Sequence, residues 1–99
     1  MQTLTKRAYN AGTKSNWRKR RMVHQAEDRA KVRRQQGQAA IRLALQGRWK
    51  DAANLNKSII DAFPTDVDSY NRLGRAMTEL GRYGEAREAY QKALEIDPL

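Results

Sequence analysis

Ninety-nine residues, 39% of them hydrophobic and 31% charged, allow one small domain near the lower size limit for a self-sufficient core. The absence of cysteine excludes disulfides and thiolate metal sites and suits a reducing, cytoplasmic setting. No apolar run approaches the roughly 18 residues of a membrane helix, and no signal-peptide apolar segment follows the basic start, so no membrane contact is expected.

The net charge of +9 is unevenly placed. Residues 1–38 carry eleven Lys and Arg against two acids, Glu27 and Asp28, whereas residues 39–99 carry nine of each sign. A neutral body therefore follows a basic arm, and the two parts call for separate explanations.

Residues 1–16, MQTLTKRAYNAGTKSN, show neither a helical nor an alternating apolar period and are expected to be an unstructured basic tail. From Trp17 no breaker occurs before Gly37, and Ser15 or Asn16 suits a helix cap, so residues 17–32 are predicted to form a basic helix leading into the body. Met22, Ala26 and Ala30 give it only a thin apolar stripe, and Glu27 and Lys31 form a favourable i,i+4 pair. The run Trp17-Arg18-Lys19-Arg20-Arg21, backed by Arg29, Lys31, Arg33 and Arg34, suits a polyanion: cations neutralise phosphates and an indole stacks on unpaired bases, as Tyr9 also can. The plainer reading is a solubilising tail, or a helix meeting an acidic protein surface. A transit peptide is a third reading, since the first 26 residues contain no acid, but Asn10, Gly12 and Asn16 interrupt any amphipathic helix there. His24 has neither a cysteine nor a second histidine to share a metal with and is read as a surface residue.

Beyond the arm, small and apolar residues recur in a fixed order. Tyr70, Leu73-Gly74, Met77, Gly81, Tyr83, Ala86, Tyr90, Ala93 and Pro98 fall within VDSYNRLGRAMTELGRYGEAREAYQKALEIDP, residues 67–98. This order resembles the tetratricopeptide repeat (TPR), with Tyr70, Met77 and Tyr90 in the usual Trp, Tyr and Phe places. Thirty-four positions upstream a fainter copy aligns: Pro64 with Pro98, Gly47-Arg48-Trp49 with Gly81-Arg82-Tyr83, Ala52 with Ala86, Leu43 with Met77, and Ile59-Ile60 with Ala93-Leu94. Residues 33–66 are thus read as a divergent first repeat and 67–99 as the second. The first departs from the pattern at Gln36, at Ala39-Ala40 and at Asn56.

The predicted architecture is all-α: TPR-type helix-turn-helix repeats, an α-solenoid fragment, preceded by the basic N-terminal helix. Helices are predicted at about 50–63, 67–80 and 85–96. Pro64 stops the first of these, and Thr65 or Asp66 caps the second. Leu73, Ala76, Met77 and Leu80 form the inner face of the second helix. Small Gly74 and Ala76 allow close helix approach, and Gly81 ends the helix in a left-handed conformation. Tyr83 is expected to plug the turn. Ala86, Ala89, Tyr90, Ala93 and Leu94 are expected to face inward from the last helix, and Ala52, Leu55, Ile59 and Ile60 from the first.

No nucleophile stands beside a plausible base, and no glycine-rich phosphate loop or carboxylate pair with a histidine occurs, so neither an enzyme nor a cofactor or metal is expected. The resemblance implies instead an adaptor whose inner helices line a concave groove for a partner's peptide or helix. Its groove positions fall at Asp68, Asn71, Arg75, Thr78 and Glu79 in the second repeat, and at Arg34, Gly37, Ile41, Ala44 and Leu45 in the first. The Lys/Asn/Arg clamp that some TPRs use for acidic C-terminal tails is not matched, because Gly37 and Ile41 occupy its places in the first repeat. Asn71 and Arg75 remain able to receive a carboxylate or a backbone group. The competing reading is a protein associated with nucleic acid or ribonucleoprotein, anchored by residues 6–34.

Arrays of this kind usually exceed two repeats and end in a polar cap. If the sequence is complete, the last helix leaves an apolar face for self-association. Sedimentation at high micromolar concentration is then expected to show dimers or larger species, and a stable monomer would contradict this.

Overall fold

The computed structural model describes the backbone of residues 2–98 and the side chains of residues 18–98. Among these residues it is all-helical, with α1 at Gln2–Leu45, α2 at Trp49–Ala62, α3 at Val67–Glu79 and α4 at Tyr83–Ile96. The chain divides into two units at the Val32–Arg33 boundary. No described helix is long and apolar enough to cross a membrane.

In the first unit α1 begins at Gln2, which differs from the unstructured tail expected over residues 1–16 and from a helix starting near Trp17. Ser15 and Asn16 are therefore interior to the helix rather than caps. The segment has no proline, and its single Gly12 costs only about 1 kcal/mol relative to alanine, against good formers such as Leu4, Ala8 and Ala11. Residues 18–29 are exposed throughout.

In the second unit α2 packs on α3, and α3 on α4. The two sharp turns share one geometry, 34 residues apart. Gly47 and Gly81 have φ of 73° and 75°, a left-handed backbone that glycine adopts without a Cβ penalty. Gly47 N–H donates to the Ala44 carbonyl at 2.9 Å and Arg48 N–H to the Leu43 carbonyl at 2.9 Å. Gly81 and Arg82 repeat these bonds to Thr78 and Met77, at 3.0 and 2.8 Å. Both turns are Schellman stops, which satisfy carbonyls that a helix end otherwise leaves open.

The core is built mainly from small side chains. Ala53, Ala76, Met77 and Ala86 cluster at its centre with Trp49 and Leu73 against them, and Ile59, Ala52, Ala89 and Ala93 are also buried. Leu55 and Ile60 are half-buried. Tyr70 is buried and ties α3 to the preceding loop by donating its hydroxyl to the Pro64 carbonyl at 2.8 Å.

Three expected inner residues of the last repeat lie outside this core. Tyr83 is 69% exposed and does not plug its turn, and Leu94 is 57% exposed. Tyr90 is 38% exposed, although its ring lies over Gly74. The reason is visible 34 residues earlier: Trp49, the counterpart of Tyr83, is half-buried against a core that includes Ala76 and Met77 of α3, and no described helix plays that part for Tyr83. Leu80, also expected inside, is 37% exposed at the helix end.

Gly74 is held to its size by contact. A Cβ there would lie 2.7 Å from the Tyr90 ring, closer than real Cβ contacts. Gly74→Ala is expected to lose about 1–3 kcal/mol by overpacking, offset by up to about 1 kcal/mol of helix propensity. Urea denaturation is the measurement, and adding Tyr90→Ala should shrink the penalty of the Gly74 change in a double-mutant cycle. An equal penalty in both backgrounds would show that Tyr90 is not the obstacle.

Candidate functional site

Within the second unit, residues 33–45 of α1 together with α2 and α3 frame two adjoining cavities. The first, about 250 Å³, is lined mainly by apolar side chains, Ala40, Ile41, Ala44, Leu45, Trp49 and Ala52, with Asn56, Arg72 and Arg75. The second, about 210 Å³, is polar: Arg33, Arg34, Gly37, Gln38, Asp66 and Asp68 surround it. Ile41 and Arg72 line both, so the two form one groove with an apolar and a polar end.

Arg72 is fixed from several sides. Its Nε donates to Asn56 Oδ1 at 3.0 Å and its Nη2 to Ser69 Oγ at 2.9 Å, while Asp66 Oδ2 lies 3.8 Å from Nη2. Asn56 is fully buried and donates Nδ2 to the Ala52 carbonyl at 2.9 Å. An asparagine that holds its own helix's carbonyl and a neighbour's guanidinium leaves little unsatisfied, and no buried side-chain polar atom among the described residues lacks a partner.

Asp66 stands at the N-cap of α3, as one of the two expected caps, but its side chain makes no capping bond. Its carboxylate accepts the Ser69 hydroxyl and meets Arg33 Nη1 at 3.5 Å. Asp66 thus joins α1 to the start of α3 through a carboxylate only 9% exposed. The negative charge also sits at the helix end where the macrodipole favours it.

At the apolar end, the Arg75 guanidinium lies 5.7 Å from the Trp49 ring centroid, within cation–π range. Its Nε also donates to Glu79 Oε1 at 3.1 Å. Arg75 therefore roofs the indole while its charge stays at the surface.

The expected groove residues divide accordingly. Ile41 lies between the cavities, Arg34, Gly37 and Asp68 at the polar end, and Ala44, Leu45 and Arg75 at the apolar end. Asn71, Thr78 and Glu79 line neither cavity: Asn71 is exposed, Thr78 Oγ1 donates to the Gly74 carbonyl at 2.9 Å, and Glu79 pairs with Arg75. Trp49, Asn56 and Arg72 were missed as groove residues. The signal for Asn56 was its polar character where the second repeat has Tyr90, which requires a buried partner sixteen residues on at Arg72. In the first unit Arg18, Lys19, Arg20 and Arg21 are exposed, and Trp17 falls outside the side chains described.

A family profile described as tetratricopeptide repeat matches residues 67–99, the stretch that forms α3, α4 and the turn between them. The chain is a tetratricopeptide-repeat protein. Among curated relatives, the small glutamine-rich tetratricopeptide repeat-containing protein 2 of Mycosarcoma maydis is 60% identical over 30 residues. That match covers 30% of this TPR chain and 8% of the relative's length.

The Asn56–Arg72 bond gives a test of the groove's floor. Asn56→Leu removes the acceptor of Arg72 Nε and is expected to cost about 1–3 kcal/mol, the penalty of a buried donor left unmade. Adding Arg72→Met removes the orphan donor and should recover part of that loss in thermal unfolding. No recovery would mean that the contact is incidental to stability.

Proposed function

We propose that the chain is a protein-interaction adaptor that holds a segment of a partner protein in the groove between α1, α2 and α3. This reading takes residues 33–66 as a first, divergent repeat, supported by the shared Schellman turns at Gly47 and Gly81. The observation that carries it is the joined pair of cavities, apolar beside Trp49 and polar beside Asp66, meeting at Ile41 and Arg72.

The volumes narrow the occupant. Each cavity lies below the roughly 300–1,000 Å³ typical of small-molecule sites, which suits individual side chains of a peptide or helix better than a metabolite. An apolar anchor would sit between Ile41, Leu45 and Trp49. A charged or hydrogen-bonding neighbour would meet Arg34 and Asp68 at the other end. Arg72, held by Asn56 and Ser69, acts in this reading as a rigid divider between the two.

Selection of displayed random peptides against the full chain tests the proposal. Enriched peptides are expected to share a large apolar residue, and to lose at least about tenfold in affinity to Ile41→Asp, since a charge there has to be desolvated. Glu88→Lys on the exposed side of α4 should leave affinity unchanged. Peptides that bind the Ile41 variant as tightly as the parent would remove the groove from consideration.

A further inference from the structure

We infer that the first unit carries a second, independent binding site: a turn of helix bearing a ring of cations, which binds duplex DNA with the helix lodged in the major groove. Arg18, Lys19, Arg20 and Arg21 are four consecutive cations, all within α1 and all exposed. Successive residues of an α-helix are rotated by about 100°, so four in a row surround the axis instead of forming a stripe. Arg18 and Arg21 lean to one side, about 60° apart, and Lys19 and Arg20 point to the opposite side. No ion pair joins any of the four to an acid among the described residues; the acid one turn further on, Glu27, faces His24 at 4.0 Å. Arg29 and Lys31 extend the positive charge toward the end of the unit.

The distribution selects among polyanions. A membrane surface or a flat acidic protein face touches one side of a helix, and would leave half of the ring in water. A membrane-lying helix also needs a broad apolar face. Here Met22, Val23 and Val32 are all exposed and point in three different directions around α1. A groove walled by phosphates on both sides uses the whole ring. The B-form major groove, about 12 Å wide, admits an α-helix, whereas the major groove of A-form RNA is too deep and narrow for side chains to read. No residue of the ring lines the groove of the second unit, so the two sites can fail separately.

Fluorescence anisotropy of labelled duplex DNA with the full chain tests this. Each neutralised phosphate contributes a slope of about −0.9 to log affinity against log salt, so the ring alone gives about −3.6, or roughly a hundredfold loss between about 50 and 200 mM salt. The double variants Arg18→Gln/Arg21→Gln and Lys19→Gln/Arg20→Gln should each reduce the slope by about 1.8. Far-UV circular dichroism checks that helicity is kept, and Arg18→Lys/Arg20→Lys/Arg21→Lys, which preserves charge, should keep the parent slope. A large effect from one double variant and none from the other would indicate a one-sided face and overturn the proposal. So would binding of duplex RNA, single-stranded DNA, polyglutamate or phosphatidylserine vesicles as tight as that of duplex DNA, or affinity insensitive to salt.

Discussion

Once α3 packs against α2, the guanidinium of Arg72 has to be satisfied within a partly closed space, and the residues that satisfy it tie the elements of the repeat body together. Asn56 reaches it from α2, Ser69 from its own helix, and Asp66 from the connecting loop. Asp66 in turn engages Arg33 in the last part of α1. Gly37 completes the arrangement from α1: a Cβ there would lie 3.2 Å from Arg72 Nη2, so a larger residue would crowd the guanidinium. Isolated surface ion pairs contribute little to stability, but a carboxylate only 9% exposed with several donors belongs to a different class. The same cluster forms the divide between the apolar and polar ends of the groove, so the interaction that orders the helices also shapes the site.

A polar cluster carries this much weight because the apolar core is thin. Seven of the ten buried hydrophobic residues are alanines. Alanine buries little area, so the packing depends on helices close enough for dispersion contacts to accumulate. Close approach demands small residues at the crossings, and Gly74 beneath the Tyr90 ring is the clearest case. The composition that makes the core weak per residue is thus the one that lets the helices meet.

Helix boundaries and turns were legible in the sequence because they rest on local rules. Gly47 and Gly81 announced left-handed stops, Pro64 marked the end of α2, and the observed bounds of α2, α3 and α4 fall within two residues of expectation. The 34-residue offset was legible for the same reason: the same backbone problem recurs and receives the same residues. The groove was only half legible. Ile41, Arg34 and Asp68 follow from repeat register, but Asn56 and Arg72 make sense only as a pair separated in sequence, and neither is unusual alone. The start of α1 was misjudged because residues 2–16 lack an apolar period, and helix propensity alone carries no such period.

Trp49 and Tyr83 show how register and environment separate. Both open a second helix directly after the same Schellman turn, and both follow an arginine. Trp49 is half-buried against the core and stacked by Arg75, whereas Tyr83 is exposed. A repeat position therefore specifies what a residue is able to pack against, and the neighbouring helix decides whether it does so. The same distinction separates the chain's two kinds of recognition surface. The groove exists only where α1, α2 and α3 come together, so its chemistry is a property of tertiary contact. The cations of residues 18–21 need no neighbour, because the helical repeat of 3.6 residues per turn distributes any four consecutive side chains around the axis. Selectivity at the first has to come from shape, and at the second from charge.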